Sequence, residues 1–390
     1  MSSRPDSRRD GWMLTGRLAS GGVERWRFVF PAIRDDTRDR RLIFIEYYAG
    51  VSPVLHKEKK QEKARPFRIR AQRQDKITPS YFAVHAGIWG DDAVQYTHVF
   101  REGEAEISPG PPFVAQAGEC LFTEFESYGS IPGEDDPDHN RHQADFELAD
   151  DTAMEWDIEF DKKISYNAGI STSPFSRKIH ASDAYWHAEG LVTEYTGTII
   201  IGDVSYRTFP DAGAGCADVT WGSGFPSPGL WLWTADMADA GGLPYAGDVL
   251  AVWGGSIRMN VPSSAEEKFL GALHRGKRMY EFNSMVPTLS GSTWLRTKED
   301  SLTWEWHLIL SGEKAMLDAR ITCPKKDMIC DVLPSPLNRL QTYQRFTGAD
   351  GEGRLLLCTR SGPLGSYQKQ DEIIARHVVC SFGRYISKTR

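Results

Sequence analysis

A chain of 390 residues, 40% hydrophobic and 25% charged, is long enough for one large or two medium domains and has the composition of an ordinary soluble globular protein. Its net charge of −7 and pI near 5.9 argue against a nucleic-acid-binding protein, and no stretch reaches the length of a membrane-spanning helix. The N-terminus lacks the apolar run of a secretory signal, so a cytoplasmic location is expected.

The charge is unevenly spread: residues 1–76 carry 19 Lys and Arg against 10 Asp and Glu, and the remainder carries 27 against 43. The basic part peaks at His56–Lys76, which has one aromatic, Phe67, and reads as a solvated strand pair or loop, or a rim that attracts an anionic substrate. The acidic part peaks at Gly133–Asp151. Asp135, Asp136, Asp138 and His139 there lack the ordered spacing of a calcium loop, which leaves a surface loop.

In chain order, strands are expected at Arg25–Ile33, Arg41–Gly50, Tyr81–Gly90, Gln95–Arg101, Met154–Tyr166 and Gly197–Phe209. They are rich in β-branched and aromatic residues and bounded by turn formers. Trp156, Ile158 and Phe160 alternate with Asp157, Glu159 and Asp161, the mark of a strand with one buried and one wet face. After Met237 the pattern returns in GDVLAVWGGSIRMNVP, STWLRTKEDSLTWEWHLILSG, KAMLDARITCP, GRLLLCTRSGP and HVVCSFGRYISK. One helix is expected, over Ser263–Phe282: Ser263 or Ser264 caps it, Glu266 and Glu267 fill its first turn, and Phe269, Leu270 and Leu273 form an apolar stripe.

The chain is thus read as all-β, two antiparallel barrel or sandwich units with one or two short helices. The Pro- and Ser-rich stretch from Ser171 to Asp183 places the boundary between domains 1–178 and 179–390. Six widely spaced cysteines suggest reduced thiols, and Cys323 and Cys330 lack zinc-site spacing. Cys216 lies among small residues and reads as a buried thiol. No phosphate loop, dinucleotide fingerprint or nucleophile elbow is present.

The segment CADVTWGSGFPSPGLWLWTADM, residues 216–237, concentrates three tryptophans beside three glycines and two prolines. It reads as a bent loop leading into a strand that carries Trp231 and Trp233 on one face, either at the mouth of an apolar pocket or as plain core. ADVTWGSGFPSPGLWLW resembles the signature segment of the tocopherol cyclase-like family, in which an acidic residue, a Trp-Gly, a Phe-Pro and a Trp-x-Trp follow in this order; here these are Asp218, Trp221, Gly222, Phe225, Pro226, Trp231 and Trp233. The resemblance extends upstream over Tyr185–Gly213 and more faintly to ERWRFVF near the N-terminus. Where the family has Lys and Asn after the acid, this chain has Val219 and Thr220, so the family's substrate is not carried over.

The resemblance implies a lipocalin-like architecture, shared with carotenoid hydratase-like and pericyclase proteins. It also implies ring closure on a prenylated phenol or another hydrophobic small molecule, with no metal or organic cofactor. Such a reaction needs a neutral carboxylic acid, aromatic faces for the developing cation and a base. Asp218 is the first candidate acid, or else a turn carboxylate. Glu189 and His187, alternating in YWHAEG beside Trp186, form either an acid and base pair or a surface pair. Glu46, a charge within an apolar strand, is either a cavity acid or the partner of an Arg across the sheet. Trp186, Trp221, Phe225, Trp231, Trp233 and Trp306 are the candidate substrate-binding aromatics, with a core role open for Trp306. A pericyclase, a hydratase and a non-enzymatic carrier remain alternatives.

Overall fold

The structure, a computed structural model, describes residues 11–51, 76–91, 93–110, 112–132, 154–168, 181–259, 267–285, 293–334, 341–362 and 365–387. Apart from Lys76, the basic segment lies outside these residues, and the acidic one lies wholly outside them.

Two antiparallel sheets account for nearly all of the described chain. The first contains β1 (Gly22–Arg34), β2 (Arg40–Val51), β3 (Tyr81–Ile88), β4 (Val94–Phe100), β5 (Ala105–Ser108), β6 (Val114–Ala117), β7 (Cys120–Thr123), β8 (Glu126–Ile131), β9 (Met154–Tyr166), β10 (Ala184–Ile201), β11 (Val204–Thr208) and β12 (Gly215–Gly222). Its order is β4-β3-β2-β1-β11-β10-β9-β8-β7-β6-β5, and β12 follows β11 in the channel between β1 and β10, pairing with both. Ile77, ahead of β3, bridges to Ile107 of β5 and brings the ends of the sheet together. The shell encloses one aromatic core that includes Trp26, Phe28, Phe30, Tyr47, Phe122 and Trp156.

The second sheet contains β13 (Gly229–Thr234), β14 (Asp236–Asp239), β15 (Val249–Ser256), β16 (Glu267–Arg275), β17 (Arg278–Asn283), β18 (Trp294–Glu299), β19 (Thr303–Ser311), β20 (Ala315–Pro324), β21 (Met328–Pro334), β22 (Gln341–Thr359) and β23 (Gln368–Ser387). Its order is β17-β16-β15-β13-β23-β22-β20-β19-β18, with β14 on β23 and β21 on β22. β17 packs back against β19 and β20, so this sheet also curls around its own core, built on Trp304, Trp306, Leu308, Leu317 and Phe382.

β9 alternates as its sequence predicts, with buried Trp156, Ile158 and Phe160 against exposed Asp157, Glu159 and Asp161. One expectation changes. The expected helix is the hairpin β16–β17. Phe269 and Leu273 turn into the second core while Leu270 and Ala272 face the other way, toward the first sheet, so an apolar run buried on both faces imitates a helical stripe. Arg275 pairs with Arg278 across a two-residue loop in which Gly276 has φ +59°, a conformation that suits glycine at such a turn. Ser263, Ser264 and Glu266 lie outside the described residues. The sheets change over between Gly222 and Gly229, and β10 to β12 pair within the first sheet.

Between the sheets lies a third apolar layer with Val29, Phe44, Trp89 and Trp186 from one side and Trp231, Trp233, Trp253, Leu270 and Val379 from the other. β1 is therefore buried on both faces: Trp26, Phe28 and Phe30 point into the first core, while Arg25, Arg27 and Val29 occupy the opposite face, where Val29 joins this seam.

Candidate functional site

The chain passes from one sheet to the other through Ser223–Pro228, and this crossing borders an open cleft of about 410 Å³ lined by Ser223, Phe225, Pro226, Ile257, Arg258 and Tyr385 among others. Two tyrosines hold the crossing in place. The Tyr385 hydroxyl accepts from the Phe225 amide at 3.0 Å, and the Tyr343 hydroxyl donates to the Pro226 carbonyl at 3.0 Å. Tyr343 reaches this position because Gly383 lies beneath it: a Cβ there would come within 2.4 Å of the ring.

Behind Phe225 and Pro226 is a much smaller chamber of about 20 Å³, whose walls include Arg25, Trp231, Tyr343, Arg345 and Ser381. It abuts a buried charge network. Arg27 bonds Asp218 through Nε at 3.1 Å and Nη2 at 2.5 Å, and its Cζ lies 3.2 Å from the Trp231 ring centroid. Trp186 Nε1 donates to the same carboxylate at 2.8 Å. Asp218 is thus the acceptor of three bonds, two from a cation, an arrangement that suits a carboxylate and not the neutral proton donor expected of it.

Glu46 meets Arg345 of β22 at 2.6 Å and accepts from the Tyr48 hydroxyl at 2.8 Å; Arg345 also bonds Asp331, at 2.5 Å. Burial alone would raise the Glu46 pKa, but the guanidiniums of Arg345, Arg25 and Arg27 outweigh it and hold the carboxyl at about 2. The partner is an Arg, as one reading of the sequence allowed, but it comes from the other sheet and not from across the same one. Burial also keeps the Tyr48 phenol well above its ordinary range and holds His85 at about 4. His85 shares a hydrogen bond of 2.9 Å with Thr97 through Nδ1, and its ring lies 4.9 Å from Tyr48.

Glu189 does not belong to this seam. It pairs with Lys162 at 2.6 Å, both side chains buried, with the ammonium 5.7 Å from the ring of Phe160 in the first core. His187, also buried, lies two residues earlier on β10, ahead of a bulge between His187 and Gly190. Neither is a surface residue.

The six aromatics separate in the same way. Trp186, Trp231 and Trp233 meet in the seam, and Phe225 stands at the cleft. Trp221 stacks on Tyr185 at 5.5 Å in the first core, and Trp306 lies parallel to Trp304 at 6.1 Å in the second.

Compared with known proteins, the chain matches no family model and no curated protein. Among solved structures it is similar to an AttH candidate from Nitrosomonas europaea, with 10% identity, TM-score 0.48, and coverage of 99% of this chain and 98% of that one. It is also similar to kievitone hydratase from Nectria haematococca, with 10% identity, TM-score 0.46, and coverage of 99% and 94%. At these scores neither likeness bears on activity.

The side chains that shape the chamber were mostly absent from the sequence-derived candidates: Arg25, Arg345, Tyr343 and Ser381, with Tyr48, His85 and Asp331 close by. Arg25 and Arg27 carried a signal, as two cations interleaved with Trp26 and Phe28. Arg345 carried none, because its meaning depends on Glu46, 299 positions away. Among the described residues no group of His, Cys, Asp and Glu is arranged to hold a metal ion, and no helix is long and apolar enough to cross a membrane.

Proposed function

We propose that the protein binds a hydrophobic small molecule in the cleft between its two sheets and catalyses a cofactor-independent ring closure or isomerisation of it. The observation that carries this reading is the adjacency of the cleft, framed by Phe225, Pro226 and Tyr385, to a small chamber that shares Phe225 and Pro226 with it and is walled by guanidinium and phenol groups.

The cleft would hold a flexible substrate in one folded shape, and orientation of this kind lowers a ring-closing barrier without any acid. A carbonyl oxygen entering the chamber would meet fixed donors, and buried donors of this kind stabilise negative charge that develops in a transition state. The ion-paired carboxylates act as braces: Glu46 and Asp331 orient Arg345, and Asp218 orients Arg27. This replaces protonation by a neutral carboxyl with electrophilic assistance by cations and phenols. The resemblance to the tocopherol cyclase-like family favours prenylated phenols and polyenes as the substrate class.

A carrier is the second reading, favoured by the ion pairs that occupy Asp218, Glu46 and Glu189. Incubation with a panel of prenylated hydroquinones and polyenes, followed by chromatography and mass spectrometry, separates the two. The expected product is an isomer of unchanged mass. Tryptophan quenching with no product would favour the carrier, or an enzyme whose substrate lies outside the panel, and a product heavier by one water would make the enzyme a hydratase.

A further inference from the structure

Three guanidiniums and three carboxylates share the buried region around the chamber, but they do not pair one to one. Arg27 takes Asp218, and Arg345 takes both Glu46 and Asp331. Arg25, only 5% exposed, is left with one side-chain hydrogen bond, from Nη2 to Thr220 Oγ1 at 3.4 Å, and its Nε has no acceptor. Trp231 Nε1, on another wall of the same chamber, also lacks an acceptor. Buried donors are rarely left unmatched, and a buried cation least of all. Glu46 and Asp218 act on Arg25 from a distance, but the chamber wall holds donors without a direct acceptor and no carboxylate of its own.

From this we infer that Arg25 receives a carboxylate on the ligand, so that within the hydrophobic class proposed above the substrate is a molecule with a single acidic end. The inference rests on the cleft being the binding site. The dimensions order the two ends: about 20 Å³ admits one water-sized group such as a carboxylate oxygen, while about 410 Å³ outside accommodates an apolar body. Phe225 and Pro226 line both spaces and mark the point where the acidic end would pass inward. The Arg25 guanidinium lies 5.5 Å from the Phe225 ring centroid, just behind that point.

The test is a fluorescence titration of the full chain at neutral pH with decanoate and with decanol, which differ at the polar end; Trp231 and Trp253, on the chamber wall, supply the signal. Decanoate should bind at least about tenfold more tightly, as one charge-assisted hydrogen bond allows. Arg25→Met should bring decanoate down to the level of decanol, and Arg25→Lys should restore part of the difference. Equal affinities in the unmodified protein would overturn the role of Arg25 and leave the cleft standing. A preference for decanoate that survives Arg25→Met would also overturn it. Failure of both probes to bind would overturn the inference and the cleft reading together.

Discussion

Arg345 joins the two sheets by charge: its guanidinium meets Glu46 of β2 and Asp331 of β21, and all three side chains are buried. Removing a shared cation leaves two uncompensated charges in a dry interface, the costly way to break a buried ion pair. Arg345→Met should therefore lose about 3–5 kcal/mol of stability in urea unfolding. The triple change Arg345→Met, Glu46→Gln, Asp331→Asn should recover part of that loss; a triple variant no better than the single one would show that the charges are not its source. His85 gives the same network a pH dependence. Burial lowers its pKa from 6.5 to about 4, so the unfolded chain takes up the proton first as pH falls. Its contribution is complete above pH 6.5 and lost by about pH 4. Glu46, lowered from 4.5 to about 2, acts in the same direction over a lower window, its contribution complete above 4.5 and lost toward 2. Urea midpoints should thus decline from pH 6.5 downward, and His85→Phe should flatten the part between 6.5 and 4. An unchanged slope in that variant would remove His85 from the account.

Single elements show which parts of the fold could be read from sequence. β9 was legible because one of its faces meets water, so polar and apolar residues alternate down the strand. β1 also alternates, Arg25 and Arg27 against Trp26 and Phe28, and the same rule assigns the arginines to solvent. A second sheet covers them instead, and alternation cannot say what covers a polar face. In β16, Phe269 and Leu273 are four apart, a spacing common to a helical stripe and to one face of a strand; the intervening Leu270 and Ala272 are buried in the seam and complete the helical impression. The strand nature of the segment becomes evident only with its hairpin loop at Gly276 and its burial between two cores. The role of Asp218 was obscured by the same kind of information: an acid among tryptophans reads as a desolvated proton donor until Arg27, 191 positions away, is placed against it.

On the scale of the whole molecule, each sheet buries its own aromatic core and the two share a third layer, so the place where ionisable groups, aromatics and open space coincide is the seam and not the interior of either shell. The Trp-rich segment at 216–237 is the joint of this arrangement: β12 closes one sheet, β13 opens the other, and the glycines and prolines between them form the crossing that borders the cleft. From sequence the run of Gly and Pro could stand beside a pocket or in plain core; that it joins two sheets required the pairing of β10 and β12 with the first. Hydrogen exchange of the full chain, with and without a saturating geranylated hydroquinone, tests most directly whether ligand binds in the seam. The Phe225 and Tyr385 amides are held by hydroxyls at the cleft, so exchange should slow over 222–229, 253–258 and 383–387. Slowing confined to 105–131, on the far side of the first core, or no slowing with a ligand known to bind, would contradict the account.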